Sequence, residues 1–225
     1  AGNTSYKPSS KSFTLTVYKT KTNITVASAS VIRGKYLYAY LKDSNGNPLA
    51  SQSIKIKFYY SKYNYKYFYK TTDSNGRVYL KINSKPGYYT TKIIYSGSGY
   101  YQSYTKSFSL RSYVASTKFI VANTSVVRGK YFYAFLKDSS NRAIASQNVV
   151  ITFNGVKYTR TTDSNGRLYL KISAAVKSYS VNLYYAGSTG YQSSSKSLTL
   201  RVLTNATAKL TIKSAGPGEF TVRLT

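Results

Sequence analysis

Asp43, Asp73, Asp138, Asp163 and Glu219 are the only carboxylate side chains in this 225-residue sequence, which has no His and no Cys. General acid–base chemistry needs two such groups near each other, or a histidine tuned to neutral pH. Four of the five acids stand instead beside Ser, Asn or Gly, in runs such as Asp73-Ser74-Asn75-Gly76 and Asp163-Ser164-Asn165-Gly166. There a short side chain caps a turn by accepting from its own backbone. Turn chemistry is therefore favoured over catalysis. Without Cys or His, the chain can form no disulfide, no thiolate site and no histidine-activated nucleophile. The run from Asp43 to Asn47 has the look of a calcium loop but a single carboxylate, and hard cations take several oxygen ligands. No enzyme activity, metal or cofactor is expected.

The other residues with chemistry to offer are 27 Tyr and 33 Lys plus Arg, the latter giving a formal charge of +28. Such a surface repels itself and attracts polyanions. Its basic residues are spread through the chain rather than gathered in an arm, so specific nucleic-acid recognition is not expected. No run of 18 apolar residues occurs, so no membrane span is expected. No charged, apolar, small-residue leader precedes Ala1, and a start at Ala rather than Met reads as processing or as excision from a longer chain.

One long phrase occurs twice: Arg33 to Ile82 returns as Arg128 to Ile172. Asp43 and Asp138 are 95 positions apart, while Asp73 and Asp163 are 90 apart, so the first copy holds five extra residues near Tyr60 to Asn64. A change of that kind falls where a loop tolerates it. A closing phrase, Tyr101 to Leu110 and Tyr191 to Leu200, also appears at Tyr6 to Leu15. Gly218, Phe220, Val222 and Leu224 repeat the opening pattern of Gly34, Tyr36, Tyr38 and Tyr40. The expected organisation is a closing strand at 1–19, repeat 1 at 20–113, repeat 2 at 114–203 and the opening strands of a truncated third copy at 204–225. Such an array disfavours a function that needs one composite cleft.

Period-two alternation is the dominant local signal, as in Ile54, Ile56, Phe58 and in Leu168, Leu170, Ile172. It predicts half-buried strands throughout. Strands are expected near 24–32, 35–42, 53–60, 65–72, 77–83, 88–95 and 106–113, with equivalents in the second copy. The Asn-Gly pairs at Asn75-Gly76 and Asn165-Gly166 are read as tight hairpin turns. About seven short strands per copy predict an all-β chain of two tandem Greek-key sandwiches, with an extra N-terminal strand and partial C-terminal strands. The alternation sends Leu37, Ala39, Leu41, Phe132, Ala134 and Leu136 to the core. It sends Tyr36, Tyr38, Tyr40, Tyr131, Tyr133 and Phe135 to the opposite face as an exposed aromatic row. That row fits strand preference and cross-strand pairing, contact between copies, or binding of anionic polymers or glycans.

The phrases at Gly129–Ser139, Val149–Ile172 and Tyr179–Val202 resemble the Ig-like tandem repeats of bacterial and archaeal adhesin-like surface proteins, the methanogen type above all. The resemblance covers about residues 20–203, and its most specific parts are the Thr161–Arg167 turn and the Tyr185–Gln192 phrase. It implies an Ig-like sandwich and an extracellular, cell-surface stalk or adhesive role, and it brings no catalytic residues. Sequons at Asn3, Asn23, Asn123 and Asn205 are candidate glycosylation sites. A lone closing strand exposes unpaired backbone groups and a row of Phe13, Leu15 and Val17. The expected partner is therefore another copy of the chain, docked by strand addition against strands carrying Leu210, Ile212, Phe220, Val222 and Leu224. The leading expectation is a head-to-tail surface filament or stalk. A section of a long single-chain adhesin and a secreted polyanion- or glycan-binding module are the alternatives.

Overall fold

The computed structural model describes Lys7, residues 9–204 and the backbone of residues 210–215 and 219–224. All of its regular structure is β, and the chain divides between Tyr113 and Val114 into two compact units.

Unit 1 holds β1 (Thr22–Val26), β2 (Ser30–Ile32), β3 (Tyr36–Asp43), β4 (Ser53–Tyr59), β5 (Tyr65–Thr71), β6 (Arg77–Lys81), β7 (Gly87–Tyr95) and β8 (Tyr104–Tyr113). A three-stranded sheet, β1-β3-β6, faces a five-stranded sheet, β2-β8-β7-β4-β5. Unit 2 repeats the plan with β9 (Thr117–Val121), β10 (Ser125–Val127), β11 (Tyr131–Asp138), β12 (Asn148–Phe153), β13 (Val156–Thr161), β14 (Arg167–Lys171), β15 (Ser178–Tyr185) and β16 (Ser194–Leu203). Its sheets are β14-β11-β9 and β10-β16-β15-β12-β13. The chain is thus two tandem Ig-like Greek-key sandwiches. Beyond them β17 (Leu210–Ala215) pairs antiparallel with β18 (Glu219–Leu224), as β1 pairs with β3.

The segment expected as one strand at 24–32 is two. Ile24 on β1 pairs with Leu41 in the small sheet, whereas Val31 on β2 pairs with Ser112 in the large one. Between them the Ser28 hydroxyl bonds both the Ser30 carbonyl and the Ser30 N–H. That local ring satisfies backbone groups while the chain crosses from one sheet to the other. Every ladder is antiparallel except β2 on β8 and β10 on β16, which are parallel.

The turn at Asp73–Gly76 also differs from expectation: it joins β5 of the large sheet to β6 of the small one, so it is a corner and not a hairpin. Only its glycine has positive φ, at 67° in Gly76 and 72° in Gly166. Glycine is needed there for space as well, since a Cβ on Gly76 would run into the Leu41 carbonyl oxygen. The close approach lets Gly76 accept a 2.8 Å hydrogen bond from the Leu41 N–H, tying the corner onto β3. The two-residue hairpin is found at Asn154-Gly155, with φ of 49° and 79°, between β12 and β13. Two consecutive positive φ angles match the twist of the flanking strands. Copy 1 spends its five extra residues here, replacing this turn by a loop from Tyr60 to Asn64 closed by Tyr60 N–H to Asn64 O at 2.8 Å.

Each core is mainly aliphatic, with a few buried aromatic rings such as Phe58 and Phe132. Ile24, Leu37, Leu41, Ile56, Ile82, Ile93 and Leu110 are fully buried in unit 1, and Leu136, Ile151, Leu168 and Ile172 in unit 2. A side chain of this kind stabilises by about 1.5–3 kcal/mol on full burial. Buried polar groups recur in both cores. The Tyr95 hydroxyl donates to Gln52 Oε1 at 2.8 Å and Tyr185 to Gln147 at 2.8 Å, while Thr72 and Thr162 hydroxyls donate to the carbonyls of Leu49 and Ile144. The repeated Ala-Ser-Gln phrase supplies those glutamines.

Gly166→Val should lower the stability of unit 2 by more than about 2 kcal/mol, since a β-branched residue resists positive φ and meets the β11 backbone. Urea unfolding followed by circular dichroism should then show unit 2 melting as a separate, earlier step.

Candidate functional site

On β3 the residues at even positions point away from the core, because neighbours along a strand face opposite ways. Tyr36, Tyr38 and Tyr40 therefore sit outward, opposite Lys81, Tyr79 and Arg77 of β6. The Tyr38 and Tyr79 ring centroids are 6.3 Å apart, and Tyr79 meets Tyr36 edge to face at 5.5 Å. Together with Arg77 these three rings line a trough of about 240 Å³. Unit 2 builds the same trough from Tyr131, Tyr133, Tyr169 and Arg167, with a volume of about 300 Å³. Its ring separations are 6.3 Å for Tyr133–Tyr169 and 5.6 Å for Tyr131–Tyr169.

The arginines are fixed from behind. Asp73 Oδ1 accepts from the backbone N–H of Asn75 and of Arg77, and its Oδ2 accepts from Arg77 Nε at 2.9 Å. Asp163 does the same for Arg167, at 3.0 Å. The guanidinium carbon then lies 5.7 Å from the ring centre of Tyr38, or of Tyr133 in unit 2, within cation–π range. The backbone N–H of Arg77 or Arg167 is the largest influence holding each aspartate below its usual pKa, with that of Asn75 or Asn165 and the arginine charge adding to it. Among the described residues, neither the terminal guanidinium nitrogens of Arg77 and Arg167 nor the six phenol hydroxyls of the troughs have a hydrogen-bond partner.

Tyr36, Tyr131 and Tyr133 are exposed, while Tyr38, Tyr40 and Phe135 are half-buried. The predicted aromatic rows thus lie on the outward face of the small sheets. The arginines were missed in the sequence, although the Arg-x-Tyr alternation following each Asp-Ser-Asn-Gly places Arg77 and Tyr79 on one face of β6 and was the available signal. Among the described residues a Tyr–Lys cluster is found in unit 1 and has no counterpart in unit 2. Lys57 Nζ lies 3.7 Å from the Tyr65 ring centre, 4.7 Å from Tyr59 and 5.4 Å from Tyr67. The neighbouring Tyr59, and after it Tyr67, raise its pKa above the usual lysine value.

The remaining expected sites are not brought to these troughs. Phe13, Leu15 and Val17 are 85%, 77% and 83% exposed, in a stretch from 9 to 19 with no strand. The first anchored residues are Lys19 and Thr20, held by the Ser98–Gln102 loop: Thr20 N–H donates to Tyr100 O, and Gln102 N–H donates to Thr20 O, both at 2.9 Å. Asn23 and Asn123 are exposed, whereas Asn3 and Asn205 lie outside the described residues. Leu210, Ile212, Phe220, Val222 and Leu224 fall on β17 and β18, whose backbone alone is described. Of the turn acids, Asp138 is 2% exposed and pairs with Arg142 at 2.8 Å. The described residues hold no cluster of three metal-ligating side chains and no helix long and apolar enough to cross a membrane.

No protein-family model matches this sequence, and no curated protein matches it. Solved structures of bacterial adhesins and of Ig- and fibronectin-like modules are similar in fold. Invasin, a bacterial integrin-binding protein, is 17% identical with a TM-score of 0.34, over 86% of this chain and 42% of its own. Fibronectin(III)-like modules of Clostridium thermocellum CbhA are 13% identical with a TM-score of 0.30, over 81% of this chain and 94% of theirs. A 1.5-MDa bacterial ice-binding adhesin is 16% identical with a TM-score of 0.32, over 88% of this chain and 70% of the solved part. The chain spans about half the length, or less, of several such adhesins.

The lowered aspartate pKa values carry a pH dependence of known sign. A carboxylate held below its unfolded value of about 3.9 adds stability that is complete above about pH 5 and is lost as pH falls through its folded value. Thermal midpoints should stay flat between about pH 5 and 8 and fall below about pH 4. The Asp73→Asn, Asp163→Asn double variant should show a shallower acid limb in the same scan.

Proposed function

We propose that this chain belongs to a non-enzymatic, extracellular cell-surface protein of adhesin type, built as an array of self-contained β-sandwich modules. One observation carries the reading: both modules close their own cores, and both turn the same tyrosine–arginine trough outward. A repeated exposed site suits multivalent contact, in which many weak engagements add up. The acids support this indirectly, since Asp73, Asp138 and Asp163 are occupied in turn caps and arginine pairs. Antibodies against the folded chain should label intact producing cells, and mild protease treatment of those cells should remove the signal. Labelling that appears only after lysis would overturn the surface reading.

A second reading rests on the N-terminal segment. Phe13, Leu15 and Val17 alternate as in a strand but lie exposed, with no strand partner among the described residues. In this reading the segment is a donor strand, completing a sheet of the next copy and linking subunits head to tail into a filament or stalk. Sequons at Asn23 and Asn123 would carry glycans along it. Leu15→Asp places a charge on the docking row and should abolish fibre growth by electron microscopy while both modules unfold at their original midpoints. Fibres of normal length from this variant would remove strand donation and leave the covalent array.

A further inference from the structure

The two copies have drifted apart over much of their outward surface. On the five-stranded sheet, Lys55, Lys57 and Lys92 of unit 1 face the same way, with Lys57 directly opposite Lys92. The aligned positions in unit 2 are Val150, Thr152 and Asn182. On the three-stranded sheet the outward residues of the first strand differ too, Asn23 and Thr25 becoming Lys118 and Ile120, and Tyr40 becomes Phe135, but the trough is kept. Tyr36, Tyr38, Arg77, Tyr79 and Lys81 recur as Tyr131, Tyr133, Arg167, Tyr169 and Lys171. Strand propensity and solubility act on all these outward positions alike and give no reason to spare the trough.

We propose that each trough binds one carboxylated sugar unit, a uronic acid residue of an acidic polysaccharide. The trough volumes of about 240 and 300 Å³ lie just under and at the lower limit of ligand pockets, about 300 Å³, and suit a single pyranose ring. Three phenol rings offer apolar faces to the ring C–H groups, and their unpartnered hydroxyls can donate to or accept from sugar hydroxyls. The arginine supplies discrimination. With Nε committed to the aspartate, its two terminal nitrogens form a fork that matches a carboxylate bidentately. Asp73 and Asp163 are positioning residues, orienting the fork while their own charge is neutralised by it. Lys81 and Lys171, opposite Tyr36 and Tyr131, add positive charge at the rim. A neutral sugar leaves the fork unpaired, and a small inorganic anion leaves the rings uncovered.

The site adds a ligand to the surface reading without depending on it, because cell labelling and sugar binding can each fail alone. The test is titration of methyl galacturonoside into the full chain at physiological ionic strength, followed by NMR of ring-labelled tyrosine. Methyl galactoside and acetate are the controls. Two separate sets of tyrosine signals should shift with the uronoside, with each control at least tenfold weaker. Arg77→Gln should silence the unit 1 set alone, Arg167→Gln the unit 2 set alone, and the double variant both. Arg→Lys at either site keeps the charge but loses the fork and should weaken binding by an intermediate factor. If the Arg→Gln variants fail to fold, Tyr38→Leu and Tyr133→Leu serve in their place, with urea midpoints verifying the fold. Equal affinity for galactoside and galacturonoside would overturn the proposal, as would full binding by the folded double variant, which traces attraction to the net charge alone. Tyrosine signals unmoved by the uronoside would overturn it too.

Discussion

A strand cannot choose where alternate side chains go, and this structure depends on that constraint. Once Leu37, Ala39 and Leu41 are committed to the core, Tyr36, Tyr38 and Tyr40 have only the outer face left to them. Burial of the first set supplies the stability that a chain without disulfides must draw from apolar packing. The second set is then carried outward on a sheet whose register is fixed by the first, since a slip of one residue would exchange the two. Structural and surface roles are thus coupled through backbone geometry alone. A change that loosens the core of β3 or β11 also displaces the rings on its far side.

Much of this was legible in the sequence. The alternation located the strands, and the repeat predicted two equivalent units. Where the reading failed, it failed at backbone chemistry that composition does not report. Asn75-Gly76 looks like a hairpin, yet its corner geometry comes from Gly76 packing on the Leu41 backbone, a contact between residues 35 positions apart. The true hairpin, Asn154-Gly155, was hidden because copy 1 has a longer loop at the same place. The break at Ser28 rests on one hydroxyl bonding its neighbour's backbone. As for the trough, its tyrosines followed from alternation, whereas the position of Arg77 depends on a cross-strand register and on an aspartate that looked like turn punctuation alone.

That aspartate shows how few polar groups the design requires. Asp73 caps its turn with one oxygen and aims an arginine with the other. The same economy appears in Gln52, which receives the Tyr95 hydroxyl while its backbone N–H is held by Thr72. With so few acids against so many cations, each of the four aspartates is placed where it orders a loop, and most of the cations are left to face solvent or an anionic neighbour.

The parallel pairing of β2 with β8, and of β10 with β16, bears on mechanics. In each module the second strand and the last run side by side in the same direction. Tension between the two ends therefore pulls the paired strands past each other lengthwise. Their hydrogen bonds, lying across that direction, must give way together rather than unzip singly. A module built this way, when pulled by its ends, yields at a rate set by its barrier to rupture.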